Sequence, residues 1–186
     1  MKNMFTIVGI SGSLRTGSYN SALLKTAATL VPGDVALNII SLADVPMFNQ
    51  DNESSLPSAV QILKDAVEKA DAVLFVTPEY NYSVSGVLKN AIDWLSRPSG
   101  KNSLNDKPVG IMGASMGMFG SARAQYHLRQ MMVTLNAHVL NKPEVMVASA
   151  QEKFDAQGVL TDAKTSEKVK EHLAALVEWA KRLKSH

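Results

Sequence analysis

Residues 9–21 read GISGSLRTGSYNS and follow directly on the apolar run Met4-Phe5-Thr6-Ile7-Val8. Glycines, four serines and an arginine at the end of a strand make a cradle for an anion. Ser11, Ser13, Ser18 and the Asn20 amide can each donate a hydrogen bond, as can successive backbone N–H groups. Arg15 adds a planar guanidinium with a fixed positive charge. A helix beginning near Asn20 would point its positive end at the same place. That set suits a single terminal phosphate, a dianion near neutral pH. A triphosphate is disfavoured: Gly12 to Gly17 match the first six positions of a Walker A loop, but Ser18 and Tyr19 follow where Lys and Ser or Thr belong. The spacing of Gly9, Gly12 and Gly17 also departs from the dinucleotide fingerprint G-x-G-x-x-G. The plainer alternative is a tight strand-to-helix turn with Ser18 or Asn20 as N-cap. Arg15 and the full hydroxyl set, placed right after a strand, favour the anion site.

A second loop could complete that site. Thr77-Pro78-Glu79-Tyr80-Asn81-Tyr82-Ser83 closes the run AVLFVT (72–77). Its proline can hold backbone groups at a fixed height against the heteroatoms of a flat ring, and Tyr80 supplies an aromatic face. Taken alone, the same residues also suit a helix-start loop with tyrosines packed on the surface.

The elements that must position these loops alternate along the chain. FTIVGI (5–10) is a continuous apolar run of the kind covered on both faces. Leu23, Ala27, Leu30 and Val31 then repeat at helical spacing, and Pro32-Gly33 stops that helix. VALNII (35–40) gives a second strand, and Ala59, Ile62, Leu63, Ala66 and Val67 form one face of a second helix. AVLFVT is the third strand, followed by a helix over 84–95. KPVGIMGAS (107–115) is the fourth, followed by a helix over 122–135. Residues 138–148 hold a fifth strand interrupted by Pro143, and 151–161 form a polar surface excursion. Val169, Leu173, Leu176, Val177, Ala180 and Leu183 mark a last amphipathic helix. Strands separated by crossover helices predict an α/β fold with a parallel sheet covered on both faces. Five such units predict a flavodoxin-like three-layer sandwich with a five-stranded sheet in the order 2-1-3-4-5, as one domain over 1–186. In that order the first and third strands flank the ligand crevice.

Composition narrows the classes. With 46% hydrophobic residues the chain can bury an ordinary core. A net charge of +2, without a basic stripe, argues against nucleic acid. The absence of cysteine removes thiol nucleophiles, disulfides and thiolate metal sites. The four histidines, at 127, 138, 172 and 186, have no metal-ligand spacing, so no metal is expected. No stretch approaches the roughly 20 apolar residues of a membrane span, and the N-terminal apolar run is too short for a signal peptide, so a cytoplasmic protein is expected.

GSLRTGSYNSALL, TPEYNYSVSGVLKNAIDWLSRP and the Gly-Ala-Ser-Met-Gly loop resemble the NADPH-dependent FMN reductase family, and within it the bacterial chromate/quinone reductase branch. The likeness spans at least residues 5–147. It implies a flavodoxin-like fold holding FMN, reduced by NADPH or NADH, with a quinone, free flavin or an oxidised metal ion such as chromate as the small-molecule acceptor. In such a protein the chemistry belongs to the flavin and no side chain need be catalytic. The family's phosphate grip falls on Ser13, Arg15, Ser18 and Asn20, with Tyr19 counted in the same run. Its ring edge falls on Pro78, Glu79, Tyr80 and Asn81, and its closing loop on Ser115 and Gly117. The resemblance also implies a homodimer or homotetramer with the flavin near a subunit interface. Many relatives carry proline where this chain has Ser85; proline would pre-set the first helical turn and serine can cap the same region, so the departure bears only on the rigidity of the second loop.

Two other functions share the fold. A flavodoxin-type electron carrier would use the same cofactor, but such carriers are strongly acidic. A receiver module needs acidic residues at the ends of strands one and three, where Ile10-Ser11 and Thr77-Pro78 stand. Arg123 could attract an anionic acceptor such as chromate, although an ordinary solvated helix charge is the simpler role. Tyr82, Arg123 and Glu144 are candidates for a subunit contact, and Trp94 and Trp179 for packing.

Overall fold

The computed structural model describes residues 4–184. Along them run β1 (Phe5–Ser11), α1 (Tyr19–Leu30), β2 (Val35–Ile40), α2 (Ser58–Lys69), β3 (Ala72–Val76), α3 (Gly86–Leu95), β4 (Pro108–Ala114), α4 (Ala122–Thr134), β5 (His138–Val139), β6 (Val145–Val147) and α5 (Ala163–Lys184). The strands form one parallel sheet in the order β2-β1-β3-β4, with β5 and β6 both lying along β4.

This is the expected order, with the fifth strand in two pieces. β5 pairs with Pro108–Val109 and β6 with Met112–Ala114. Pro143 falls between them and has no N–H to give a ladder, which is why pairing stops and resumes.

β3 and β4 are buried at every position, as strands with helices on both faces must be. On one face Leu23, Leu24 and Ala27 of α1 join Val169, Leu173 and Leu176 of α5. On the other, Leu63 and Val67 of α2 join Leu88 and Ala91 of α3 and Leu128 of α4. Trp94 is fully buried and donates from Nε1 to the Pro46 carbonyl, while Trp179 donates to the His138 carbonyl. Both are packing residues with a satisfied polar handle.

Two expectations need correction. Helix α2 is rotated by one position: Val60, Leu63, Lys64 and Val67 face inward and Ile62 is 61% exposed. The reason is Lys64, whose Nζ donates to the Arg97 carbonyl at 2.7 Å and to Ser103 Oγ at 2.6 Å. A buried ammonium so partnered can replace an apolar residue, although burial lowers its pKa. The 151–161 excursion is also more than polar surface. Phe154 is buried against the Tyr19 ring, centroids 5.5 Å apart, which anchors the segment on the first turn of α1.

Among the described residues no helix is long and apolar enough to cross a membrane. Ser11 pairs with Val76 across the sheet, so the loops after β1 and β3 leave it side by side. That is the crevice where the strand order reverses.

Candidate functional site

The loop after β1 is built around Ser18. Its Oγ caps α1 by accepting from the N–H groups of Asn20 at 3.2 Å and Ser21 at 3.4 Å. With those lone pairs engaged, the hydroxyl proton is left to donate into the adjoining cavity. Arg15 is exposed, lies 5.8 Å from the Tyr19 ring, and pairs with no carboxylate among the described residues. Ser13 Oγ accepts from Arg15 N at 3.4 Å, which curls the loop so that Ser13 and Arg15 line the same space.

Asn20 lines the cavity and also has a long-range partner. Its side chain is buried and bridges to β4, donating to the Ala114 carbonyl and accepting from the Ala114 N–H, both at 2.9 Å. It lines the cavity but acts first as a tie between the first loop and the end of β4. A single-residue donor count does not show that an amide will find a matching backbone amide across the sheet.

The loop after β3 turns at once. Tyr80 and Ser83 exchange both backbone hydrogen bonds, at 3.0 and 2.9 Å, around Asn81 (φ 50°) and Tyr82 (φ 67°). Two left-handed central residues make a type I′ turn. Asparagine tolerates that conformation, so Asn81 serves the turn, and it stands just outside the residues that line the cavity. Tyr82 is held in the same conformation beneath Arg123, whose guanidinium lies 3.8 Å from the Tyr82 ring centroid and 4.6 Å from that of Phe119.

Glu79 completes this clamp. Its side chain is 8% exposed, pairs with Arg123 Nε, and accepts from the Arg123 N–H at 3.0 Å and the Ala124 N–H at 3.4 Å. It therefore caps α4 and neutralises Arg123 together. Arg123 is therefore not simply a solvated surface charge: its Nε is paired with Glu79 and its guanidinium lies close to two rings, while its side chain stays 35% exposed. Within the chain Tyr82 and Arg123 already meet.

Glycine matters at one closure. A Cβ on Gly113 would sit 1.8 Å from Ser121 Oγ and 2.5 Å from the Thr77 carbonyl, so β4 can carry the 115–121 loop this close only with glycine there. Ser115 N donates to the Val147 carbonyl and Ala150 N to the Ser115 carbonyl, which fixes the loop against β6.

Together the three loops enclose a cavity of about 400 Å³. Ser13, Arg15, Ser18, Tyr19, Asn20, Pro78, Glu79, Tyr80, Ser115 and Gly117 line it, and of the expected residues only Asn81 stands outside. Ala114 and Met116 line it too and were not anticipated; Met116 lies between two residues that were, which was signal enough. Ser85, which stands where many relatives carry proline, takes the cap role open to serine. It caps α3, accepting from the Leu88 N–H at 3.1 Å, and donates to the Gly12 carbonyl at 2.6 Å, a long-range tie no local pattern reveals.

Comparison with known proteins agrees with this architecture. The model of the NADPH-dependent FMN reductase family matches residues 5–152. An NAD(P)H-dependent FMN reductase of Pseudomonas aeruginosa is 51% identical over 185 residues, covering 99% of this chain and all of that protein. A quinone reductase of Escherichia coli is 44% identical over 188 residues, again covering 99% of this chain and all of its own. Among solved structures, FerB, a flavoenzyme NAD(P)H:(acceptor) oxidoreductase from Paracoccus denitrificans, superposes with a TM-score of 0.88 at 36% identity, over 96% of this chain and 98% of that one. With a family model matching most of its length and relatives aligned end to end, this chain belongs to the NADPH-dependent FMN reductase family.

Proposed function

We propose that this protein is an FMN-dependent NAD(P)H oxidoreductase that reduces quinones or free flavin, working as a single FMN-binding domain in the cytoplasm. The observation that carries the reading is the cavity at the reversal of strand order, with a hydroxyl-rich loop and a guanidinium that has no carboxylate partner among the described residues at one end and a proline–tyrosine loop at the other. Its donor set fits FMN: one phosphate for Ser13, Arg15 and Ser18, and a flat ring for the loop at Pro78 and Tyr80. Its volume lies within the roughly 300–1,000 Å³ of small-molecule sites.

Bound FMN would supply the redox centre that accepts hydride from NAD(P)H and gives electrons to the acceptor. The chain's own residues bind and orient. Ser18 and Ser13 offer hydroxyls to the phosphate, Arg15 balances its charge, and the start of α1 adds a favourable dipole. Asn20 holds that loop to β4. Pro78 and the Tyr80–Ser83 turn set the height of the ring edge, and Ser115, Met116 and Gly117 close the third side.

Quinones and flavins are placed ahead of chromate because the end-to-end relatives are named as FMN and quinone reductases, and because Arg123, a cation suited to an oxyanion, is ion-paired with Glu79. An enzyme is favoured over a flavodoxin-type carrier by the end-to-end likeness to proteins named as reductases and by a net charge of +2. Tyr80, Tyr82, Met116, Met118, Phe119 and Tyr126 are exposed beside the cavity, which supports assembly into a homodimer or homotetramer through this face. The test is steady-state oxidation of NADPH and NADH with a benzoquinone, free FMN or chromate as acceptor. FMN-loaded protein is expected to turn over quinone in preference to chromate. Absence of FMN-dependent NAD(P)H oxidation with every acceptor would refute the proposal.

A further inference from the structure

Three segments meet at one buried point beneath the cavity. Gly12 stands one residue before the expected phosphate grip, Pro78 opens the expected ring edge, and Ser85 begins α3. Ser85 is 4% exposed, and its hydroxyl donates to the Gly12 carbonyl at 2.6 Å. Gly12 N donates to the Val76 carbonyl at 2.9 Å, so the same residue is tied to β3 as well. The contact has no slack: a Cβ on Gly12 would lie 3.1 Å from Leu88 Cβ, 3.2 Å from Pro78 Cδ and 3.2 Å from Ser85 Oγ.

We infer that Ser85 is a positioning residue for the flavin site, fixing the separation between the phosphate end and the ring end, and that it makes the site selective for the phosphorylated flavin. The inference rests on the FMN reading above. Ser85 does not line the cavity and acts through Gly12 and the loop that Gly12 leads. Its hydroxyl does two things that a side chain without one cannot do together: it caps the Leu88 N–H and holds the Gly12 carbonyl. A ligand that touches both ends must match the distance between them, whereas one that touches only the ring end is indifferent to it. FMN is the first kind of ligand and riboflavin the second. Loosening the Ser85 tie should therefore penalise FMN far more than riboflavin.

The experiment titrates FMN-stripped protein with FMN and with riboflavin, following flavin fluorescence, for the natural sequence, Ser85→Ala, Ser85→Thr and Gly12→Ala. The natural protein should bind FMN more tightly than riboflavin. Ser85→Ala should weaken FMN by about five- to tenfold, the scale of one buried hydrogen bond, and change riboflavin by less than about twofold. Ser85→Thr retains the hydroxyl and should restore the FMN preference. Gly12→Ala, which wedges the same junction from the other side, should reproduce the FMN-selective loss even if Ser85→Ala fails to fold. Equal weakening of both flavins, or no weakening of FMN, in the variants would overturn the positioning role. Failure of the natural protein to bind either flavin would overturn the functional reading itself, and the inference with it.

Discussion

Two arginines flank the site, Arg15 in the cavity lining and Arg123 behind its Glu79 wall, and their surroundings are opposite. Arg15, on the loop after β1, is exposed and has no carboxylate partner among the described residues. Arg123, at the start of α4, is paired with Glu79 and lies against the rings of Tyr82 and Phe119. On the proposed function one guanidinium serves a ligand; the other is part of the scaffold. A charge that will meet an anion is left accessible, whereas a charge that shapes a loop must have its countercharge built in. Stability and binding should therefore separate between the two arginines, and four measurements test that separation.

The largest effect sets the conditions for the others. His172 is fully buried under β4 and donates from Nδ1 to the Pro143 carbonyl at 2.7 Å. Burial lowers its pKa to about 4, opposed by that hydrogen bond and assisted by nearby Arg129. The folded state thus favours the neutral imidazole, and the unfolded chain takes up the proton first as pH falls. Stability should be complete above about pH 6.5 and decline towards pH 4, by on the order of 3 kcal/mol in total. Urea midpoints across that range would show it, and His172→Gln should flatten the curve. A midpoint independent of pH between 6.5 and 4 would contradict the assignment, and the remaining comparisons belong above pH 6.5.

Glu79→Ala should come next. It strips Arg123 of its countercharge and uncaps two N–H groups of α4, at a cost of about 2–3 kcal/mol in unfolding free energy. Chemical denaturation of FMN-free protein would measure it. A loss under 0.5 kcal/mol would mean that the clamp does not brace the fold.

Arg15→Ala is the mirror experiment. FMN affinity should fall by about 1–3 kcal/mol, the scale of a lost charge-assisted hydrogen bond, while the unfolding free energy moves by less than about 0.5 kcal/mol. Unchanged FMN binding would remove the phosphate role and erase the contrast between the two arginines.

The smallest effect probes the strained turn. Tyr82 has φ 67°, and its ring supports Arg123. Glycine would relieve the backbone while losing a contact of about 0.5–1 kcal/mol, so Tyr82→Gly should be neutral within about 0.5 kcal/mol. Tyr82→Ala keeps the backbone penalty and should be the less stable of the two by about 1 kcal/mol. The reverse order would show that this conformation is not maintained in solution.

The sequence carried the fold because its signals were local. Apolar runs at FTIVGI and AVLFVT, helical stripes, and Pro32 and Pro143 as breakers were enough for strand order and for the break in the last strand. Most of the cavity lining was legible for a related reason: in this topology the loops after β1 and β3 must emerge together. What escaped depends on partners far along the chain. Asn20 bonds Ala114, Ser85 bonds Gly12 and Glu79 bonds Arg123, across separations that no periodicity reports. Lys64 misled in the same way, since three acceptors supplied by residues 97–103 let a cation take an inward position that the pattern assigned to Ile62. Loop chemistry can be read from residue types; the ties that hold loops to one another need the folded backbone.

The most direct test of the account is the visible absorbance spectrum of the protein reconstituted with FMN, taken under anaerobic conditions before NADPH, after NADPH, and after a quinone. The account predicts one FMN per chain, rapid bleaching of the flavin band by NADPH and its recovery with the quinone. A protein that binds no flavin, or holds flavin that NADPH and NADH both leave oxidised, would contradict it.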